Sequence, residues 1–390
     1  MLPLSRKGRG AELMDIDRKA YGHRAPERPE LSRLADLPEE DKATLVRSGI
    51  DPDAQVSGSF MLTDSSTVHC DCSDPNVEVL PMQTAMDLHD GLKEYSWKLM
   101  EKESDQVDGG YFIRSRPGAT VTYPLQTCLY LAEDRSAQDV HNIVIAEEGS
   151  TLNILSGCAS APGVRSGLHV GISEIYVKKG ATLSFTMVHN WAEEMAVRPK
   201  TKIMVEEGGT FISNYICLKP AKDLVMYPTA TLNGQGAVAT FNSVFLSTPG
   251  STIDSGSRVI LKAPDTRAEV VSRAVSMGGK IYARGHLVGE VPGVKAHLEC
   301  DGLILSDSGL IHAIPELEAR CNDLEMSHEA AVGKIAQEEI EYLMARGVSE
   351  EDARSLIIKG FLSLDIMGLP DELKRDMEET IQKAGSEGAM

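Results

Sequence analysis

Four glycines set the terms on which this chain can fold. Glu147-Glu148-Gly149-Ser150-Thr151-Leu152, Lys178-Lys179-Gly180-Ala181-Thr182-Leu183 and Glu206-Glu207-Gly208-Gly209-Thr210-Phe211 repeat one pattern, and Gln235-Gly236-Ala237-Val238 echoes it, with the glycines at intervals of 31, 28 and 28 residues. Each copy reads as a charged turn, a glycine free to take positive φ, and a strand of alternating apolar residues. A repeat of this length that holds strands and no helix cannot bury its apolar face alone, so the copies must stack. The period predicts a mainly β protein with a β-solenoid core over residues 111–318; a β-sandwich would instead place its turns about every 8–12 residues.

The flanks read differently. Residues 1–110 are charged and mixed, with helical segments expected near Glu12–Lys19, Pro38–Ser48 and Thr84–Glu103 and turn signals such as Asp51-Pro52-Asp53 between them. Within this region His69-Cys70-Asp71-Cys72 lacks the second Cys/His pair that a four-ligand metal site needs, and is read as a loop without metal. Residues 319–390 switch to a helical period. Ile335, Ile340, Leu343 and Met344 form one stripe and Gly347 ends it; Ser349 with Asp352 starts a second helix carrying Leu356, Ile357, Phe361 and Leu364, and Pro370 opens a third through about Lys383. This end is expected to be a helical domain.

A net charge of −19 over 390 residues repels phosphate backbones and anionic lipid, which argues against nucleic acid or a membrane surface as the main partner. No apolar run approaches the roughly 20 residues of a bilayer span, so the cytoplasm is the expected location. The seven cysteines (Cys70, Cys72, Cys128, Cys158, Cys217, Cys300 and Cys321) are odd in number and scattered, which suits reduced thiols better than a disulfide framework.

The residues with chemical promise come late in the repeats. Ala296-His297-Leu298-Glu299-Cys300-Asp301-Gly302-Leu303-Ile304-Leu305 is followed by Ile311-His312-Ala313-Ile314-Pro315 and by Met326-Ser327-His328-Glu329-Ala330-Ala331-Val332-Gly333, the last read as opening a helix. Upstream stand Ser156-Gly157-Cys158-Ala159-Ser160-Ala161-Pro162, Leu168-His169 and Val188-His189-Asn190-Trp191. On residue chemistry alone, Cys300 on an alternating strand shares a face with Leu298 as an inert core cysteine would, and a carboxylate at a helix start is ordinary capping.

These motifs, recurring in one order over about residues 140 to 366, make the chain resemble the SufB/SufD family of iron–sulfur cluster assembly scaffolds. The resemblance implies a right-handed parallel β-helix flanked by helical regions. It implies that Cys158 first accepts sulfur and that Cys300, with His328 and Glu329, holds the nascent cluster iron, of the four-iron, four-sulfur type, near a dimer interface. It also implies a SufC-like ABC ATPase bound through the C-terminal helices and a second copy or a SufD-like paralogue as the other half of the dimer. The sulfur donor and any flavin are left open. The Ser-His-x-Ala-x-Val-Gly writing of the last box is SufD-like, whereas Cys300 and Glu329 are SufB-like, so a SufB-type subunit is inferred; the Arg-x-Asn feature of SufB is missing from Leu129 to Val140.

Soft thiolates with imidazole or carboxylate as weaker ligands suit iron that is later released. No Gly-x-x-x-x-Gly-Lys-Ser/Thr loop occurs, so the chain is read as a scaffold rather than an enzyme, with ATP hydrolysis in its partner. The rivals are a SufD-like structural subunit without its own cluster and a β-helix carbohydrate enzyme. The latter needs paired acids on adjacent rungs, and Asp254, Asp265 and Glu269 form no such pair by spacing.

Overall fold

The computed structural model describes residues 17–22, 26–100 and 107–362, with isolated positions 375, 379 and 382 beyond them. The repeats stack into a β-solenoid of about eight turns. Its turns are built as the period predicts: Gly149, Gly180, Gly208 and Gly236 have φ of 67, 64, 62 and 69°. Each glycine N–H donates to a carbonyl of the next turn, Gly149 to Lys179, Gly180 to Glu207, and Gly208 to Gln235. The column continues past the fourth glycine through Asp265 at φ 60° and Gly293 at φ 80°. Aspartate is among the few residues besides glycine that tolerate this conformation, which is why the run of evenly spaced glycines breaks at this turn. Asp265 is thus a turn residue, its carboxylate accepting from Gln235 Nε2 at 2.8 Å.

Two parallel sheets face each other across the solenoid. The first runs from Gly58–Thr63 through Leu125–Leu131, Thr151–Ser160, Thr182–Asn190, Thr210–Lys219, Val238–Ser247, Arg267–Ser276 and Lys295–Ile304 to Glu325–Gly333. The second runs from Val77–Pro81 to Leu310–Ala319. Successive rungs pair in strict register, as in Val238–Ser247 on Arg267–Ser276, so inward positions stack into apolar columns that include Leu183, Phe211, Phe245 and Leu298.

Three expectations about the flanks are corrected. The N-terminal region is not purely helical, because Gly58–Thr63 and Ser66–Cys72 form an antiparallel hairpin whose first strand pairs in parallel with Leu125–Leu131 and so closes the first rung. The His69-Cys70-Asp71-Cys72 segment is a strand of that hairpin rather than a loop; alternation sends Cys70 and Cys72 to one face and His69 and Asp71 to the other. At the far end the solenoid runs past residue 318 to Gly333, so Ser327-His328-Glu329 lies on its last strand and opens no helix. The first C-terminal helix begins at Gln337.

Elsewhere the helices follow the sequence. Glu39–Arg47 and the turn after it press Leu45 and Ile50 onto Met61, Cys128 and Tyr130 on the outer face of the first sheet. Gln337–Met344 and Glu350–Leu362 are joined through Gly347 at φ 89°. The Ser349 hydroxyl accepts the Asp352 N–H at 3.1 Å and donates to its carboxylate at 2.6 Å, an N-terminal cap. Ile358 and Leu362 pack on Val244, Leu246 and Val275. The expected helix from Pro370 and most of that near Glu12–Lys19 lie outside the described residues, although Arg18–Ala20 forms one short 3-10 turn. Of the expected segment Thr84–Glu103 the described part, to residue 100, is helical over Met82–Leu88 and Asp90–Glu94 alone, and the rest lies outside the described residues.

A strap follows those helices over the outer face of the second sheet. The buried Glu174 carboxylate accepts the N–H groups of Trp97 and Leu99, both at 2.6 Å, and pairs with His141 Nε2 at 2.8 Å. Trp97 stacks on the His141 ring at 4.0 Å.

Candidate functional site

The first sheet brings Cys158 and Cys300 to one interior. Cys158 lies on Thr151–Ser160 and Cys300 on Lys295–Ile304, both with their side chains among the lumenal apolar residues. Five strand steps separate them, which at about 4.8 Å per step is roughly 24 Å along the solenoid axis. The inward column that ends in Cys300 reads Ser156, Met187, Tyr215, Ser243, Ser272, Cys300 from rung to rung. Serines at these positions break an otherwise apolar lining. A cavity of about 30 Å³ bordered by Phe185, Phe211, Tyr215, Phe241 and Ser243 lies between the two thiols.

Burial dominates the chemistry of both thiols. Cys158 is 1 % exposed, and removal from water pushes its pKa up to about 12. Cys300 is equally buried and is pushed up to about 11, first by burial and then by the charges of Asp301 and Glu299 beside it. Both therefore rest as thiols. A thiolate able to attack sulfur or bind iron requires a change in surroundings that admits a cation, a base or the metal itself.

The expected cluster set comes together only in part. Parallel register places His328 opposite Leu298, Glu329 opposite Glu299 and Ala330 opposite Cys300. Aligned residues of a sheet share a face. His328 thus lies on the face of Cys300, two positions along its neighbour strand, whereas Glu329 lies on the opposite face with Glu299. Both are exposed on the last strand. Among the described residues no group of three or more Cys, His, Asp or Glu side chains could hold a metal ion within one copy of the chain.

Around Cys158 the structure assembles residues that its motif did not predict. Cys158 is aligned with His189 on the next rung. His189 Nδ1 lies 2.7 Å from the Tyr215 hydroxyl, and the ring meets Trp191 edge-on at 5.9 Å between centroids. His169 stacks on Trp191 at 4.8 Å and donates from Nδ1 to Gln138 Oε1 at 2.9 Å. Cys217 shares this interior, while Cys128 points outward beneath the N-terminal helix. The sequence signal for Tyr215 and Cys217 was their alternation with Ser213 along one strand. It becomes informative only once the rungs are in register.

Burial drives both histidines neutral, His169 to about 3 and His189 well below its ordinary value. In the unfolded chain they titrate near 6.5. A depressed histidine contributes stability that is complete above its unfolded pKa and is lost as pH falls below it, since the unfolded state then binds the extra proton. Unfolding free energy should therefore fall by about 1.4 kcal/mol per pH unit per histidine between about pH 6 and 4. Urea melts at pH 7.0 and 5.0 read this out, and His169→Asn should make the difference smaller by one histidine's share.

A parallel β-solenoid with lumenal thiols and few helices defines the class. The SUF system FeS cluster assembly SufBD core domain matches residues 129–361. An iron–sulfur cluster assembly SufBD family protein of Methanothermobacter thermautotrophicus is 47 % identical over 382 residues, covering 94 % of this chain and 93 % of that one. Another, of Archaeoglobus fulgidus, is 52 % identical over 353 residues, covering 88 % and 95 %. The iron–sulfur cluster assembly protein SufB of Bacillus subtilis is 28 % identical over 401 residues, covering 98 % and 85 %. The chain belongs to the SufBD family of iron–sulfur cluster assembly proteins. Among its described residues no helix is long and apolar enough to cross a membrane.

Proposed function

We propose that this protein is a SufB-type cytoplasmic scaffold, without turnover chemistry of its own, that accepts sulfur at Cys158 and assembles a transient iron–sulfur cluster around Cys300. The observation that carries the reading is the pair of buried thiols on one sheet of the solenoid, the second of them a single strand from its open end. Sulfur accepted at Cys158 as a persulfide has to travel the length between them by exchange from one thiol to the next, each donor returning to a thiol, with Cys217 in the same interior. The Tyr215, Ser243 and Ser272 column offers hydroxyl donors to a persulfide anion where the rest of the lumen offers hydrocarbon. The iron and sulfide are cargo, made and passed on.

Glu325–Gly333 leaves one edge of the first sheet unpaired, with Leu310, Leu317 and Val332 exposed beside it. Unpaired edges dock other strands. A second copy, or a SufD-like paralogue, across a two-fold axis would bring further histidine and carboxylate groups to Cys300, and Glu329 would reach the cluster only from such an arrangement. A SufC-like ABC ATPase is proposed to bind the C-terminal helices, where Tyr342 and Leu356 are exposed and Glu338, Glu339, Tyr342, Leu343 and Ile357 line a shallow groove.

Sulfur entry is tested with a cysteine desulfurase charged with sulfur-labelled cysteine, whose active-site persulfide passes its outer sulfur to the accepting thiol while the desulfurase thiol leaves. Cys158→Ala should fold and accept little persulfide sulfur, whereas Ser272→Val should load Cys158 normally and deliver little to Cys300. Full labelling of Cys158→Ala would move the entry point, with Cys217 in the same interior as the next candidate.

A further inference from the structure

The outer face of the second sheet carries two cations that the protein does not neutralise. Lys202, Thr229 and Arg258 occupy successive strands in one aligned row, Lys202 opposite Thr229 and Thr229 opposite Arg258. Their neighbours Ile203, Ala230 and Val259 belong to the lumenal core, so all three project outward. At the usual strand spacing the two cationic residues stand about 10 Å apart at Cα, with the threonine between them. Both long side chains are partly buried. Among the described residues neither forms an ion pair, and Arg258 Nε is buried without any hydrogen-bond partner there.

Among the described residues the acids nearest in the sheet, Glu316 excepted, are engaged with other partners. Glu174, next to Lys202 in the same row, spends its oxygens on His141, Trp97 and Leu99. Asp254 holds Arg284, with Nη2 to Oδ2 at 2.8 Å. Glu318 accepts from Arg320 at 2.9 Å and faces His286 at 3.5 Å. Glu316 lies two strands beyond Arg258 in the row and makes no ion pair with it. The pKa of Lys202 is lowered by burial and then by Arg258, so the two charges feel one another. In a chain with 58 acids and 39 lysines and arginines, a pair of mutually repelling, half-buried cations with no carboxylate in ion-pair contact, Glu318 acting on Arg258 only from a distance, is a costly arrangement unless an anion joins it.

The geometry points to a binding site for a small phosphate-type oxyanion on this face, held by the Lys202 ammonium, the Thr229 hydroxyl and the Arg258 guanidinium. Arginine supplies a planar fork for two oxygens, lysine a point charge and threonine a neutral donor, the mixture that suits a tetrahedral anion better than a planar carboxylate. The site lies outside the lumen and shares no residue with the thiol pathway, so its occupancy can be measured without any cluster chemistry.

The test is calorimetric titration of the full chain with sodium phosphate in a buffer free of oxyanions. Wild type should bind; Lys202→Gln and Arg258→Gln should each weaken binding about tenfold. Lys222→Gln, whose ammonium already pairs with Glu194 on the surface, should leave it unchanged. A phosphomonoester such as glycerol phosphate should compete with inorganic phosphate, and acetate should not. Thermal melts separate a ligand site from a structural one. Without phosphate, removing either cation relieves repulsion and should leave the melting temperature unchanged or higher, whereas phosphate should raise it only in wild type. No binding by wild type, wild-type affinity in both Gln variants, or a lower melting temperature for them without phosphate would each overturn the proposal.

Discussion

Cys300→Ser is expected to yield a folded protein that still binds its ATPase yet carries no iron or sulfide after anaerobic reconstitution. Serine keeps the shape of the side chain at a fully buried position aligned with Ser272, itself a buried hydroxyl without a partner, so the cost should be that of one such hydroxyl, about 1–3 kcal/mol, and the fold should survive it. Its oxygen is a poor ligand for iron in a sulfide-rich cluster, and with no other thiol on that rung nothing replaces it. Glu329→Ala should lose the cluster as well if a second copy supplies this carboxylate. The residue is exposed, so folding and ATPase binding are unaffected. Because burial and the neighbouring acids keep Cys300 protonated at rest, its labelling by a thiol reagent should be slow in the isolated protein. It should quicken when the ATPase and a non-hydrolysable ATP analogue are added, if nucleotide binding opens the end of the solenoid. Wild-type iron and sulfide in Cys300→Ser would sink the cluster assignment and leave a structural SufD-like role.

The second large effect concerns the strap. Glu174→Leu removes one acceptor group that three donors share, the His141 ring and the N–H groups of Trp97 and Leu99. Each donor left without a partner in a dry site costs about 1–3 kcal/mol, so the substitution should destabilise by about 3–9 kcal/mol if the strap stays in place. Release of the strap is the cheaper response, because its N–H groups then reach water. It would uncover Leu168, Val170 and Ile172, which Trp97 and Met100 help to cover. Limited proteolysis near residues 95–100 should therefore accelerate strongly in Glu174→Leu and only mildly in Glu174→Gln, which retains one acceptor oxygen. Equal protection in Glu174→Leu and wild type would show that the strap is held by packing alone.

How much of this was legible beforehand depends on what each element asks of its residues. A solenoid turn needs one residue of positive φ, and where glycine supplied it the repeat was readable; where Asp265 did, the next rung went unseen. The last strand was concealed for a related reason. Glu325–Gly333 buries little of its surface, so it lacks the alternation that marks a half-buried strand, and Ser-His-Glu looks like a helix cap. The hairpin over residues 58–72 was hidden in a charged region whose apolar content is local. The cysteines at the site were recognised through the order of neighbouring motifs. That Glu329 faces away from Cys300 was beyond reach, because the length of the turn between Lys295–Ile304 and Glu325–Gly333 sets which residues share a face, and a shift of one residue would reverse it.

The two ends of the first sheet are finished differently, and this bears on stoichiometry. At the N-terminal end the stack stops in an antiparallel hairpin, and the Leu31 N–H donates to Val68 O across the outermost strand. At the C-terminal end, among the described residues, Glu325–Gly333 has a strand on one side and no backbone cover on the other. A chain with one partly covered and one open end favours joining another open end to open end once, after which only covered ends remain. If copies associate through these edges, they should stop at pairs at any concentration and never lengthen into fibres, although stacked parallel strands are the geometry from which fibres are made.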